Sequence, residues 1–262
     1  MSERVAASVG PYDHRVAPED EIVRPRCYPL PARWIIEFKL RSALNLLDVD
    51  PAGLKTLVLC CGSGMDAEFL AHQGMLVVGL DISHEALLRA KERARLYNVP
   101  YELVVGDAQN LPFRTGGFHI AFVHDGLHHL ADAYRGVREM MRVASWAVAI
   151  AEPAEARTTR LAIRLGLSGE YEDTGDYVYR LDRKKLSEVF DAAGADHWVF
   201  RRDLIYYQPW ILSLYRLFEP RPLFLLFKMV FYSVNVVLGR WANSLKAVAW
   251  KEEVPINPLR TQ

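Results

Sequence analysis

The stretch TLVLCCGSGMDAEFLAHQGMLVVGLDIS, Thr56–Ser83, decides the fold of this chain. An apolar, strand-forming run leads into a turn that carries Gly62 and Gly64, and a helical segment follows. A second apolar strand then ends on the acidic residue Asp81. Glycines let a backbone approach a ligand closely, and the helix N-terminus behind them offers unpaired N–H groups. Because an acidic side chain at the tip of the second strand can accept hydrogen bonds from ribose hydroxyls, the unit predicts a site for an adenosine-containing ligand.

Composition narrows the class of protein. The chain has 262 residues with 32 basic and 32 acidic side chains, so its formal net charge is zero. A balanced charge without a dense basic run argues against nucleic acid, which needs a basic face. Residues 1–21 are polar and lack the apolar core of a signal peptide, and the three cysteines form no CxxC pair. These features predict a reduced, cytoplasmic setting.

Predicted strands and helices alternate along most of the chain, whereas the proline-rich residues up to about 30 are expected to be irregular. This alternation predicts an α/β fold with a doubly wound, mostly parallel seven-stranded sheet. The predicted strands are Thr56–Leu59, Met75–Leu80, Tyr101–Val105, Phe118–Val123, Ala147–Ala151, Trp198–Leu204 and Lys246–Lys251. The main predicted helices are Ala32–Leu47, Ser83–Tyr97, Asp132–Val143 and Leu181–Ala193.

The same pattern divides the chain into an N-terminal lid and helix (1–54) and a cofactor-binding core (55–204). A hydrophobic helical cap (205–245) is inserted before the last strand and tail (246–262). The apolar run Leu223–Leu238 is too short for a clean membrane span and carries Lys228 and Asn235, so we expect a buried or cap helix. Peripheral contact with a membrane and a homodimer interface in this aromatic region are left open.

Four blocks in register resemble one known family. They are LCCGSGMD (59–66), VVGLDIS (77–83), GDAQNLPF (106–113) and FHIAFVHDGLHHLAD (118–132). In this order and spacing they resemble the class I S-adenosylmethionine-dependent methyltransferases, in particular the small-molecule branch of the ubiquinone and menaquinone biosynthesis type. The resemblance covers roughly residues 55–155. It implies a Rossmann-like methyltransferase fold and S-adenosylmethionine as the cofactor.

The resemblance also implies where each part of the cofactor binds. Asp81 would hold the ribose diol, and Ile82 would pack on the adenine. The first turn would approach the methionine part through its backbone. The residues of this turn with a binding role are Cys60, Cys61, Gly62 and Gly64.

Two later blocks would complete the cofactor site. Asp107 would accept a hydrogen bond from the adenine amino group, with the Ala108 N–H facing the ring. Taken from the residues alone, Asp107 is equally a turn residue before a loop. His124 would lie at the end of the fourth strand, near the methyl donor.

The first block departs from the family pattern. The family usually has an acidic residue at the position of Val58 and glycine at the position of Cys60. The missing carboxylate puts one contact to the cofactor's amino group in doubt. Asp66 could supply that charge, or it could cap the helix that follows the turn. The paired cysteines are expected to be small buried residues rather than redox groups.

Methyl transfer from a sulfonium needs an acceptor held in line, and a general base where the acceptor must lose a proton. His128 and His129 follow the fourth strand, where the site should open, and are the predicted bases, although LHHL could also be a structural segment. We expect no metal site, because no cysteine or clear set of carboxylates completes the histidine group. Glu152 and a tyrosine group are further candidates to face the substrate. That group is Tyr171, Tyr177 and Tyr179.

The predicted function is methyl transfer to a small, lipophilic or aromatic acceptor, by O- or C-methylation in secondary or quinone- or polyketide-like metabolism. Two alternatives remain. GSGMDA (62–67) also satisfies the dinucleotide-binding pattern, which would indicate an NAD-dependent dehydrogenase, but the block GDAQNLPF has no role in that reading. The altered first block is also compatible with a non-catalytic protein of methyltransferase fold.

Overall fold

One sheet organises the chain. The computed structural model describes residues 18–166, 179–205 and 209–251. Within them, seven strands lie in the order β3-β2-β1-β4-β5-β7-β6, and β7 runs antiparallel to both of its neighbours. The predicted mostly parallel, doubly wound sheet is thereby confirmed. The strands are β1 (Lys55–Leu59), β2 (Leu76–Asp81), β3 (Glu102–Val105), β4 (Phe118–His124), β5 (Ala144–Pro153), β6 (His197–Asp203) and β7 (Ser244–Trp250).

Helices cover both faces of the sheet, and each face has its own apolar cluster. The central strands are buried throughout, as expected where helices cover a parallel sheet on both sides. The α-helices of the described residues are α1 (Pro18–Val23), α2 (Leu30–Leu44), α3 (Met65–His72), α4 (His84–Leu96), α5 (Ala133–Val143), α6 (Arg157–Arg164), α7 (Arg183–Ala192), α8 (Pro209–Tyr215) and α9 (Arg221–Leu238).

The turn between β1 and α3 takes its shape from left-handed backbone. Cys60, Gly62 and Gly64 have φ angles of 50°, 49° and 83°. At Gly64 a Cβ atom would lie 2.6 Å from the hydroxyl of Tyr101 and 3.0 Å from the Cβ of Ala90, so only glycine fits there. The turn therefore delivers the chain tightly from the sheet into the N-terminus of α3.

One sequence expectation is wrong, and one of two alternatives is excluded for another segment. Residues 18–23 were expected to be irregular, yet they form α1. Its first residue is proline and its first turn is acidic, and both features favour a helix start. Leu223–Leu238 does form a helix, but only 6% of the apolar segment around it is buried. The buried alternative is therefore excluded for this segment, whereas the cap alternative stays a prediction.

The insertion between β6 and β7 packs on the N-terminal part of the chain. Phe231 of α9 lies against Trp34 and Phe38 of α2, with ring centroids 5.0 Å apart in both pairs. Ile205 and Tyr215 join the same apolar cluster. The insertion thus has a helical structure and an aromatic contact to α2, and its role as a cap over the site stays a prediction.

Candidate functional site

The carboxyl ends of β1, β2 and β4 meet at one edge of the sheet, beside the glycine turn. Asp81 ends β2 and accepts hydrogen bonds from the N–H groups of Gly62 (2.8 Å) and Ser83 (2.9 Å). Burial raises the pKa of Asp81, and these two N–H donors oppose the rise. A carboxylate has about four acceptor positions, so two donors leave capacity for two further hydroxyl groups. Ile82 follows Asp81 and is half-buried.

Open space faces the turn. A Cβ atom added to Gly62 would meet nothing within 4 Å, in contrast to the crowded position of Gly64. Gly62 therefore presents its backbone to a space that a ligand could occupy. Since α3 begins at Met65, its N-terminal N–H groups lie directly behind this space.

Asp107 lies on the same edge, two residues after β3. β3 pairs with β2 so that Val105 is opposite Asp81. One oxygen of Asp107 accepts a hydrogen bond from the N–H of Gln109 at 2.8 Å, which is the turn role that the residues alone suggested. The side chain of Ala108 is buried in the core. Asp81 and Asp107 thus follow neighbouring strands, which is the placement that the predicted cofactor roles require.

The two cysteines of the turn are packing residues. Burial raises the pKa of both thiols well above its ordinary value, so both are protonated and poor nucleophiles near neutral pH. Cys61 lies against Gly79 of β2. Cys60 lies against Gly126, where a Cβ atom would come within 2.5 Å of the Cβ of Cys60. The extra side chain at position 60 is therefore accommodated by a glycine after β4.

His124 and Asp66, both predicted to contact the cofactor, form a buried pair with each other. Nδ1 of His124 lies 3.1 Å from Oδ1 of Asp66, which makes no side-chain cap to α3. On the other side, Nε2 of His124 is 3.2 Å from Oδ2 of Asp125, which is also paired with Lys39 of α2. Burial alone would raise the pKa of Asp125, but Lys39 and the neighbouring histidines hold it well below its usual range. This network joins the ends of α3, β4 and α2.

His128 and His129 have different surroundings. Nδ1 of His128 lies 2.9 Å from Oε2 of Glu152, and both side chains are buried. The other oxygen of Glu152 accepts the N–H groups of Gly126 (2.6 Å) and Leu127 (2.8 Å). His129 is half-buried and its ring lies 4.1 Å from that of His128. Glu152 therefore fixes the orientation of His128, a link that the sequence alone did not reveal.

Three side chains here could in principle offer ligand atoms to a cation. One atom each from Asp125, His128 and Glu152 lie within 4.8 Å of one another. Their oxygens are, however, already engaged, because Lys39 pairs with Asp125 and Glu152 contacts two backbone N–H groups and His128. The donor set fits a hydrogen-bond network better than a metal site.

Two buried cations near the site were not predicted from the sequence. Arg93 of α4 is completely buried, and its guanidinium donates to the carbonyls of Ser63 (2.9 Å), Glu21 (2.7 Å) and Arg24 (2.5 Å). It also pairs with Glu68 at 2.9 Å. Arg93 thereby ties the N-terminal segment to the glycine turn. The signal was its position on the apolar stripe of α4, whose other buried residues are Ala86, Leu87 and Ala90.

A second buried cation lies in β7. Lys246 pairs with Asp203 at 2.7 Å, and neither side chain reaches solvent. Burial lowers the pKa of Lys246 to about 8, although Asp203 opposes the shift. Of the predicted tyrosine group, Tyr171 and Tyr177 lie outside the described residues. Tyr179 lies on the surface, edge-on to Tyr134.

Comparisons with known proteins agree with this geometry. Residues 57–145 match the family model described as a methyltransferase domain. Over 91 residues the chain is 43% identical to an uncharacterized methyltransferase of Synechocystis, covering 34% of this chain and 40% of that protein. Over 111 residues it is 36% identical to the demethylmenaquinone methyltransferase of Desulfitobacterium hafniense, covering 39% and 42%. The aligned part thus spans well under half the length of these relatives.

Solved structures with the same fold cover more of the chain. A magnesium protoporphyrin IX methyltransferase from Synechocystis with bound S-adenosylhomocysteine is similar over 95% of this chain and 94% of its own (TM-score 0.58, 15% identity). The YcgJ protein from Bacillus subtilis is similar over 82% and 100% (TM-score 0.58, 17% identity). At these identities the likeness establishes the fold.

Proposed function

We propose that this chain, which carries a methyltransferase domain on a class I S-adenosylmethionine-dependent fold, transfers a methyl group from S-adenosylmethionine to a small acceptor. One observation carries the proposal. The glycine turn, Asp81, Asp107 and the His128–Glu152 pair all lie at or just after the carboxyl ends of strands, at the same edge of the sheet. In open α/β sheets, ligands bind at this edge.

The residues present fit the cofactor. Asp81 retains acceptor capacity for a ribose diol, and the space facing Gly62 admits a ligand beside the backbone. Asp107 would accept the adenine amino group with its remaining oxygen. When bound, S-adenosylmethionine supplies an activated methyl group on sulfur. The protein then has to hold an acceptor in line with it, which can contribute about 7–11 kcal/mol to lowering the barrier.

The His128–Glu152 pair is the proposed proton acceptor. Because Glu152 binds Nδ1, a neutral His128 carries its proton there and offers Nε2 as the basic nitrogen. A phenol or enol whose hydroxyl lies at Nε2 would lose its proton to His128 as its oxygen or ring carbon takes the methyl group, while the bond from the methyl carbon to sulfur breaks and S-adenosylhomocysteine leaves. The two backbone N–H groups that bind the other oxygen of Glu152 hold its side chain in place. His129, whose ring lies tilted against that of His128, is the second candidate for this role.

A quinone-like aromatic acceptor is the proposed substrate class. Relatives that share the cofactor half of the chain are named demethylmenaquinone methyltransferases. The aromatic cluster of α2 and α9 supports a lipophilic acceptor rather than a sugar. A reduced naphthoquinone carries a ring hydroxyl that a base can deprotonate, which makes a neighbouring ring carbon nucleophilic.

Cofactor binding is tested by calorimetry with S-adenosylhomocysteine, and with NADH in parallel. Micromolar binding of the first and no binding of the second supports the proposal. Binding of NADH would instead support a dehydrogenase. No binding of either would support the non-catalytic alternative, in which Val58 and Cys60 disable the site.

Proton transfer is tested with His128→Ala and Glu152→Gln, using a reduced naphthoquinone and detection of the methylated product by mass spectrometry. Loss of a general base lowers kcat by about 10²–10⁴-fold. The amide of Glu152→Gln would still accept the two backbone N–H groups, but its NH2 would force the proton of His128 onto Nε2. We therefore expect both variants to lose kcat while retaining affinity for S-adenosylhomocysteine.

The matched control is His84→Ala, which changes a histidine exposed at the start of α4. A His128→Ala enzyme with unchanged kcat at saturating acceptor would reject the assignment. Activity retained in His128→Ala but lost in His129→Ala would move the role to the second histidine.

For partners, we propose a small-molecule acceptor and no nucleic acid, in a cytoplasmic setting. The apolar insertion is the region that we propose to contact a further partner. A membrane surface and a second copy of the chain are the two occupants that the sequence left open.

A further inference from the structure

The outer face of α9 is apolar and exposed. Its segment Arg221–Trp241 is, among the described residues, the one helical stretch long and apolar enough to cross a membrane by length and composition. Between its exposed terminal arginines, Arg221 and Arg240, the outward side chains are apolar or aromatic except for Ser233. The exposed apolar ones include Leu225, Leu226, Met229, Val230, Val236 and Val237.

This arrangement reverses that of an ordinary surface helix. The inward side of α9 already packs on α2, through Phe227 and Phe231 against Trp34. Surface helices of soluble domains carry charged residues on the opposite side, but α9 carries aliphatic ones. Contiguous apolar surface of this kind indicates an interaction site.

The C-terminal end of α9 and the residues after it are tied to the domain. The side chain of Asn235 binds the N–H of Leu204 at 2.5 Å, and Asn243 binds both the N–H (2.9 Å) and the carbonyl (2.7 Å) of Ile205. These contacts fasten the end of the insertion to its beginning. An 18-residue helix is about 27 Å long. A helix tied in this way lies on the surface of the domain, and its exposed side can enter a bilayer only to a shallow depth.

An arginine-rich cleft lies at the C-terminal end of α9. It has a volume of about 630 Å³, and Glu155 is its one acidic lining residue. Its basic lining residues are Arg157, Arg160, Arg183, Arg201, Arg202 and Arg240.

Most of this positive charge is not neutralised by a carboxylate within the described residues. Arg202 donates to the carbonyl of Glu155 at 2.7 Å, and Arg240 lies over the ring of Trp241 at 3.9 Å. Arg183 lies over Phe200 at 5.0 Å, and Arg201 reaches Asp203 at 3.6 Å. Carbonyl and ring contacts orient a guanidinium without cancelling its charge, so the cleft attracts anions.

Apolar side chains also border the cleft. Helix α6 carries Arg157, Arg160 and Arg164 together with exposed Leu161, and exposed Leu165 follows it. Leucines beside arginines next to an exposed apolar helix form the pattern of an interfacial membrane site.

We propose that the outer face of α9, helix α6 and the arginine cleft together dock on a bilayer of anionic phospholipid. The aliphatic side chains enter the boundary of the acyl chains, while the arginines bind the headgroup phosphates. A second copy of the chain suits the surface less well, because a symmetric pair through this face brings two arginine clefts to the same interface. The inference does not depend on methyl transfer.

The experiment is sedimentation of the full chain with vesicles of phosphatidylcholine alone or with 30% phosphatidylglycerol. We expect binding to the anionic vesicles that weakens in 500 mM salt. Leu226→Asp with Val237→Asp, which charges the centre of the apolar face, should lower the partition coefficient at least tenfold. Arg160→Gln with Arg240→Gln should lower it about 25-fold, at about fivefold for each arginine.

Matched controls come from α4. Leu88→Asp changes an exposed leucine and Arg95→Gln an exposed arginine, and neither should alter binding. Circular dichroism and thermal melts establish that each variant is folded. Inorganic phosphate at 10 mM should not release the protein, since a free anion replaces the headgroup contacts but not the apolar ones.

Three results would overturn the proposal. The first is a folded protein that does not bind anionic vesicles. The second is equal binding to neutral and anionic vesicles, which would show that the arginines do not contact the headgroups, or release by inorganic phosphate, which would show that the apolar face does not enter the bilayer. The third is a dimer in light scattering that Leu226→Asp with Val237→Asp makes monomeric, which would assign the face to a second copy.

Discussion

Replacing Arg93 by methionine tests how the N-terminal segment is held over the glycine turn. The methionine fills much of the space of the arginine stem but removes every N–H donor. Four hydrogen bonds are lost, to Ser63, Glu68, Glu21 and Arg24. Because Arg93 is completely buried, water cannot take its place without opening the structure.

The magnitude follows from two independent arguments. Removing one partner of a buried ion pair costs about 3–5 kcal/mol. Four lost hydrogen bonds at about 1 kcal/mol each give a similar figure. Glu68 keeps Arg26 as a partner, which favours the lower part of the range. We expect Arg93→Met to lower the free energy of unfolding by about 3–4 kcal/mol, and Tm by about 6–16 °C at 2–4 °C per kcal/mol.

Urea denaturation and calorimetry measure the loss, and limited proteolysis locates it. Cleavage between residues 18 and 28 should accelerate, because the carbonyls of Glu21 and Arg24 lose their donor. Arg93→Lys keeps the charge but not the planar fork, so it should recover only part of the stability.

Arg95→Met on the same helix is the control. Its side chain is 69% exposed and pairs only distantly with Glu92, so its effect should stay within about 0.5 kcal/mol. A loss below 1 kcal/mol in Arg93→Met, with unchanged cleavage between residues 18 and 28, would refute the reasoning. It would mean that the N-terminal segment is held by its other contacts.

Three further predictions concern the turn, the site and the sheet. Gly126→Ala should lower the free energy of unfolding, measured by urea denaturation, by about 1–3 kcal/mol, because the added Cβ would lie 2.5 Å from the Cβ of Cys60. Adding Cys60→Gly to this variant should recover the lost stability. The control Gly239→Ala, where an added Cβ is not crowded, should leave the stability unchanged. Asp81→Asn should weaken S-adenosylhomocysteine binding about 10–100-fold in calorimetry through loss of charged hydrogen bonds, and an unchanged Kd would remove Asp81 from the site. The third concerns Lys246, whose pKa falls from 10.5 to about 8 on folding. Between these two pKa values the unfolded chain binds more protons than the folded chain, so the free energy of unfolding should rise with pH. We expect a rise of about 3 kcal/mol from pH 8 to 10.5, measured relative to the double variant Lys246→Met, Asp203→Asn. A constant difference across that window would contradict a depressed pKa.

The structure from β1 to β2 could be predicted because the residues that determine it lie close together in the sequence. Position 64 requires glycine because its φ angle is positive and the hydroxyl of Tyr101 leaves no room for a Cβ atom. Asp81 stands at the end of an apolar strand. Once two parallel strands are recognised, their carboxyl ends must share an edge. The placement of Asp107 and His128 at that edge follows from the same rule.

Buried charges escaped prediction because their partners are remote in sequence. Arg93 meets the carbonyl of Glu21, 72 residues earlier, and Lys246 meets Asp203, 43 residues earlier. Lys39 is 86 residues from Asp125. A charged residue on an apolar stripe indicates that some partner exists, but only the tertiary fold supplies its identity.

For helix α9, apolar composition predicted a buried or cap helix, and the structure excludes the buried alternative. Hydrophobic residues are found inside because water disfavours their exposure, so a run such as Leu223–Leu238 normally lies in a core. The core here is already complete, since helices fill both faces of the sheet and α2 covers one side of α9. The other side remains exposed beside a cluster of arginines whose charges have few carboxylate partners. Exposed apolar surface and unneutralised charge each destabilise a protein surrounded only by water, and an anionic bilayer would satisfy both at once.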